Sequence, residues 1–266
     1  MGAPASLAGM VALERPPRWG LIAIVLLVLA NAGLVLLLVQ RQDQAPETST
    51  SAAAATTAAR STTPTTAGTS TAPETSGDPG VLAVYGDGYS SGNSEGGTSA
   101  AGWPALVADQ LGMQLQLSAA TLAGYVNVGS TGQTYPQLVE SAPVADAAVT
   151  VVFGSRNDAD ATPAQVQAAA EQTFAEIAAA SPGTALLVIG PAWTGASPPA
   201  ALTAVSAALR TAAEAAGGTY VDPLAEGWFA DPTGLVSAAD GISVLDAGHT
   251  YLAEQIAPLV EAALAD

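Results

Sequence analysis

Hydrophobic positions along the chain fall into two regimes. Between Trp19 and Val39 they are almost unbroken, WGLIAIVLLVLANAGLVLLLV, with Asn31 the one strongly polar member. That is about the 20 residues an α-helix needs to cross a bilayer core. From Val81 onward, short apolar runs alternate with segments of helical period. Val81–Tyr85, Leu115–Ser118, Ala147–Phe153, Ala185–Gly190 and Thr219–Val221 read as strands. Gly102–Leu111, Tyr135–Ser141, a long helix opening at Thr162, Ala200–Ala216 and Thr250–Ala265 read as helices. Thr162-Pro163-Ala164-Gln165 joins a cap, a first-turn proline and a capping-box glutamine, and Pro182-Gly183 stops that helix. Ala147–Phe153 is β-branched on both faces, as a central parallel strand requires. The alternation predicts an α/β fold, a three-layer α/β/α sandwich around a mostly parallel, flavodoxin-like sheet.

The same pattern divides the chain. Residues 1–18 read as a cytoplasmic tail, 19–40 as one transmembrane helix, 41–80 as a stalk, and 81–266 as the folded domain. Arg15 and Arg18 precede the apolar run and Arg41 follows it, so the positive excess lies on the amino-terminal side. The positive-inside rule then places the carboxyl-terminal domain outside the cytoplasm, on a single-pass membrane protein. Ala30-Asn31-Ala32 offers the alternative of a cleaved signal peptide and a secreted domain. Gly33–Val39 continues the apolar run beyond that point, which favours a retained anchor. Residues 41–80 are rich in Thr, Ser, Ala and Pro, with too few large apolar side chains to offset the entropy of ordering.

Charge narrows the partners. The net charge is −17, with six arginines and no lysine, and after residue 80 two arginines face eighteen acids. A phosphate-backbone binder needs a basic face, so nucleic acid is excluded as a partner. No cysteine is present, which removes thiol nucleophiles and disulfides. The single histidine, His249, restricts acid–base chemistry severely. Asp158 and Asp160 form an Asp-x-Asp pair too sparse to define a divalent-ion site, and a solvated loop is the simpler reading. No cofactor and no metal is expected.

In a parallel sheet, ligands gather outside the carboxyl ends of the strands. Four segments converge there: Gly86–Gly97, Asn127–Thr134 (NVGSTGQT), Gly154–Asp158 (GSRND) and Asp240–His249 (DGISVLDAGH). With these blocks in this order, essentially all of residues 81–266 resembles the SGNH hydrolase family, also called GDSL esterases/lipases. The stretches GWPALVA, GPAW and AGHTYLA are similar to membrane-anchored or secreted actinobacterial members. The resemblance implies an ester-cleaving site in which a serine attacks and a histidine acts as base. Its Gly-Asp-Ser block falls on Gly86-Asp87-Gly88, so the nucleophile position is Gly88. Its oxyanion donors fall on Gly132 and Asn157, with Ser155 where the family carries glycine. Its Asp-x-x-His block falls on Asp240-Gly241-Ile242-Ser243, so the base position is Ser243, with Asp240 retained as the acid. The resemblance thus implies a pocket for an acylated glycan or small ester without its nucleophile and base, acting as a binding or scaffold module.

Asp246-Ala247-Gly248-His249 is a second Asp-x-x-His, and it opens an alternative: an active esterase using displaced Ser90 or Ser91 with His249. The plainer reading gives His249 a capping or packing role at the start of the last helix. Asp87 reads as a brace for the turn. Arg156 reads as a partner for one of the many acids, with a ligand carboxylate or phosphate as its alternative. Trp103, Trp193 and Trp228 read as core or rim packing.

Overall fold

The computed structural model describes residues 80–265. The tail, anchor and stalk expected over residues 1–79 lie outside the described residues. No helix among the described residues is long and apolar enough to cross a membrane.

Five strands form one sheet: β1 (Val81–Gly86), β2 (Gln114–Ala119), β3 (Ala147–Phe153), β4 (Ala185–Ile189) and β5 (Thr219–Val221). Their order is β2-β1-β3-β4-β5, and every neighbouring pair is parallel. Among the described residues the α-helices are α1 (Gly88–Ser91), α2 (Trp103–Leu111), α3 (Tyr135–Ser141), α4 (Pro163–Ala180), α5 (Ala200–Ala215), α6 (Pro223–Glu226) and α7 (Asp246–Ala265). The result is the expected three-layer sandwich. Residue alternation along β1 shows how it is built. Leu82 and Val84 join the core under α2 and α7, with Trp103, Val107, Leu252, Ile256 and Val260. Ala83 and Tyr85 join the core under α3, α4 and α5, with Leu138, Val166, Phe174 and Leu209. Ala170, Ala208, Ala212 and Ala213 are buried in that second core, so small side chains let α4 and α5 approach each other closely.

Local signals account for most boundaries. Thr162 and Gln165 form the capping box of α4: the Gln165 N–H donates to Thr162 Oγ1 at 3.3 Å, and the Thr162 N–H donates to Gln165 Oε1 at 3.1 Å. Two boundaries differ from expectation. A helical turn follows β1 at once, because Asp87 caps it with its own side chain. The last helix starts at Asp246 rather than Thr250, so Gly248 lies within its first turn. A Cβ at Gly248 would overlap the Leu235 carbonyl oxygen, so glycine serves close packing inside the helix.

Candidate active site

The chain leaves β1 toward β2 on one side and returns to β3 on the other. This switch in direction opens a crevice at the carboxyl edge of β1 and β3, where α/β sheets hold ligands. The candidate residues sit on the loops around it.

Asp87 is the N-cap of α1. Its Oδ1 accepts from the Tyr89 N–H at 2.9 Å, and its Oδ2 accepts from Asn157 Nδ2 at 2.9 Å. The carboxyl is buried, which pushes its pKa up to about 6 against the opposing Tyr89 N–H, Arg156 charge and Asn157 bond. Asp87 therefore braces two loops against each other.

Gly88 follows with no side chain. A Cβ there would meet Thr121 atoms at 3.6 to 3.9 Å, ordinary contact distance, and its φ is outside the left-handed region. Neither packing nor backbone conformation demands glycine at the nucleophile position.

The two expected oxyanion donors are engaged within the protein. Asn157 Nδ2 donates to Asp87 Oδ2 and also to the Ala123 carbonyl oxygen at 2.8 Å, which uses both amide hydrogens. The Gly132 N–H donates to the Gly129 carbonyl oxygen at 2.9 Å.

Asp158 corrects a sequence expectation. It is not part of a solvated loop: it is 1% exposed and accepts three backbone N–H groups, from Tyr125 (2.8 Å), Val126 (3.0 Å) and Asn127 (2.8 Å). Its carboxylate fixes the loop after β2 that carries Gly132. A Cβ on Gly124 would come within 2.5 Å of it, so glycine is needed there. Among the described residues, no three His, Cys, Asp or Glu side chains cluster as a metal site.

The base position lies on the far rim. Ser243 Oγ donates to Asp240 Oδ2 at 2.6 Å, and the Ile242 and Ser243 N–H groups donate to Oδ1 at 2.8 and 2.9 Å. The Ser243 hydroxyl, with these amides, holds the exposed Asp240 carboxyl down to about 2. The two residues stay together, as the resemblance implies for an acid and its base, with a hydroxyl as the partner of the carboxylate.

Six residues on, the second motif ends in a buried histidine, while its Asp246 and Ala247 are exposed. Asp246 Oδ1 accepts from the Gly97 N–H at 2.8 Å. His249 is fully buried, and its Nδ1 accepts from the Trp103 N–H at 3.3 Å. Its ring lies so close to Gly97 that a Cβ there would overlap it. Burial lowers its pKa to about 4, against the Asp246 charge, so the ring is neutral near pH 7. Ser90 Oγ is buried without a partner against Gly86, and His249 Nε2 has none either, so the two do not bond to each other. Ser91 Oγ donates to the Gly92 carbonyl oxygen. No displaced serine–histidine pair is assembled.

Arg156 also departs from expectation, since it meets no acid. Among the described residues the single ion pair is Arg210–Asp222 at 3.2 Å. Arg156 instead lies over the Trp193 ring at 4.9 Å and donates through Nη1 to the Tyr89 hydroxyl at 3.2 Å. The Tyr89 hydroxyl in turn donates to the Ile242 carbonyl oxygen at 3.3 Å. The sequence offered no signal for this network, which joins loops from four parts of the chain. Beneath it, Asp87, Tyr89, Phe153, Gly154, Arg156 and Ala192 line a cavity of only about 10 Å³, no more than room for one water. A larger groove of about 450 Å³ lies between α4 and α5, and none of the candidate residues lines it. Trp103 and Trp228 are core residues, as expected.

Comparisons with known proteins agree with this architecture. The model of the GDSL-like Lipase/Acylhydrolase family matches residues 84–251. "GDSL lipase Rv0518" of Mycobacterium tuberculosis is 38% identical over 187 residues, which cover 67% of this chain and 80% of that protein. The crystal structure of TesA aligns with a TM-score of 0.55 at 22% identity, over 69% of this chain and 99% of that one. A carbohydrate esterase family 2 enzyme from Corynascus thermopiles aligns at 0.57 and 18% identity, over 75% and 69%. These two likenesses concern the fold. The family match spans more than half of the chain from β1 into α7, and on that ground the chain belongs to the GDSL-like lipase/acylhydrolase, or SGNH hydrolase, family.

Proposed function

We propose that this protein is a catalytically degenerate SGNH domain, held outside the cytoplasm by one transmembrane helix over residues 19–40. It acts as a binding or scaffold module at the cell envelope. Its ligand is an acylated glycan or a related small ester compound. The observation that carries this reading is the pair of substitutions Gly88 and Ser243 at the nucleophile and base positions, on a scaffold that otherwise keeps the family's Asp240 and Asn157. The paired, engaged state of Asn157 and Asp240 supports it, as does the burial of the single histidine. The Trp19–Val39 run and the arginines before it support the anchor and its orientation. Cleavage after Ala32 would instead release the domain.

The test uses the full chain with a short-chain activated ester and a serine-directed phosphonate. The expected result is no turnover above buffer and no labelled serine. Turnover with one labelled serine, lost in His249→Ala, would overturn the reading in favour of Ser90 or Ser91 with His249. Fractionation of cells expressing the chain checks the anchor: the domain should stay with membranes through a carbonate wash.

A further inference from the structure

We infer that the Arg156 guanidinium is a binding site for a free carboxylate. The crevice would then hold an acyl acid, the product of ester cleavage, in preference to an ester. This rests on the reading of the site as non-hydrolytic.

Charge is the first ground. Eighteen acids stand against two arginines after residue 80, with no lysine. Under such a ratio a cation is expected to find an acid. Arg210 does, at Asp222, and Arg156 does not. Asp87 lines the same small cavity, but its oxygens turn to the Tyr89 N–H and to Asn157 Nδ2 and leave the guanidinium unclaimed. Of five guanidinium N–H groups, one is directed at a protein acceptor, the Tyr89 hydroxyl.

Geometry is the second. The guanidinium carbon lies over the Trp193 ring, 4.9 Å from its centroid, and the Tyr89 hydroxyl anchors Nη1 at 3.2 Å. A guanidinium held this way presents a preorganised fork, the shape that binds a planar carboxylate through two parallel hydrogen bonds.

Position is the third. The Tyr89 hydroxyl links Arg156 to Ile242, and Thr194 Oγ1 donates to the Gly241 carbonyl oxygen at 2.7 Å. Arg156 therefore sits where the loops bearing Gly88, Asn157 and Ser243 meet. Ile242, whose carbonyl accepts from the Tyr89 hydroxyl, is 45% exposed and offers apolar surface for the body of an acid. An ester brings no charge to the guanidinium, whereas a carboxylate gains a charge-assisted pair. A monoanion is favoured over phosphate, since the field of so acidic a domain opposes each added negative charge.

The experiment uses the full chain in nonionic detergent with 15N-labelled arginine. The Arg156 Nε–Hε signal is assigned by its loss in Arg156→Lys. Butyrate, methyl butyrate, glucuronate and phosphate are titrated at constant ionic strength, and saturation transfer to ligand protons gives affinities for the variants. Butyrate should shift the Arg156 signal saturably, and methyl butyrate and phosphate should bind at least about tenfold more weakly. Arg156→Gln should weaken butyrate about fivefold or more, and Arg156→Lys should keep part of the affinity. Equal binding of butyrate and methyl butyrate would overturn the inference, and so would equal binding of phosphate. Tighter binding of glucuronate than of butyrate would replace the acyl acid with an acidic sugar and overturn that part. Should Arg156→Gln fail to fold, discrimination between acid and ester by the parent chain decides. Methanol released from methyl butyrate would sink the non-hydrolytic reading itself, whereas absence of a butyrate shift sinks only the carboxylate site.

Discussion

Asp240-Gly241-Ile242-Ser243 and Asp246-Ala247-Gly248-His249 share a spacing and stand side by side in the chain, yet they are opposites in the fold. The first lies in the open, on the rim of the crevice, and its aspartate is saturated by its own neighbours, Ile242 N–H, Ser243 N–H and Ser243 Oγ. The second begins on an exposed aspartate and turns its histidine inside. Its aspartate pins the Gly97 backbone and its histidine fills space between Gly97 and Trp103. The motif on the open rim ends in a serine, and the histidine that ends the other is closed to any substrate. A four-residue pattern specifies chemistry only together with the burial of its last member.

The largest test of this contrast rebuilds the exposed motif. Gly88→Ser with Ser243→His restores the dyad that the resemblance implies, and at Gly88 the space and backbone already suit a side chain. Turnover of an activated ester should rise on the order of 10³-fold over the parent, with neither single substitution reaching it, because the dyad acts as a unit. A folded, inert double variant would show that Asn157 and Gly132 stay engaged with Asp87, Ala123 and Gly129 when a nucleophile is present.

The buried motif should answer in stability instead. His249→Ala removes a fully buried ring and the acceptor of the Trp103 N–H, at a cost of about 3 kcal/mol. Gly97→Ala forces a Cβ into that ring at a residue with φ of +74°, at a cost of about 2 kcal/mol. Urea unfolding of each variant checks both figures. If the two losses prove additive when combined, the ring and the loop do not share the contact described.

The sequence carried the layers of this molecule better than its site. Ala147–Phe153 announced a central strand through its β-branched run, and Thr162 and Gln165 announced α4 through a local cap. Both signals act within a few residues. Asp158 gathers amides 31 to 33 residues away, and nothing near it in sequence distinguishes that role from a solvated acid. Arg156 shows the same limit in reverse. Composition argued that it should meet an acid, and only the fold reveals that its neighbours are Trp193 and Tyr89. The resemblance named Gly88, Ser243, Gly132 and Asn157 but gave no sign that Gly132 and Asn157 are engaged within the protein.

Acid titration separates the two motifs by pH window. His249 has a folded pKa of about 4 against 6.5 unfolded, so the unfolded chain binds more protons between those values. Its contribution is fully present above about pH 6.5 and is lost as pH falls toward 4. Asp87 has the opposite sign: its folded pKa of about 6 against 3.8 means that stability is gained as pH falls through the same range. The two should offset, leaving the parent's unfolding midpoint nearly flat between pH 6 and 4. His249→Phe, which keeps the volume, should make the midpoint rise as pH falls over that range. Asp87→Asn should make it fall. A parent midpoint that drops steeply there would show that Asp87 is ionised throughout.

The exposed motif should act only in stronger acid, and weakly. Asp240 is held at about 2 against 3.8, so its contribution is present above about pH 3.8 and lost as pH falls toward 2. Ser243→Ala removes the hydroxyl that does most to hold it down. The Asp240 carboxyl should then titrate closer to its ordinary value, read from its side-chain 13C signal, while the unfolding midpoint at neutral pH barely moves. An unchanged titration would place the hold on the Ile242 and Ser243 amides. The serine would then be a bystander in the turn rather than the occupant of the base position.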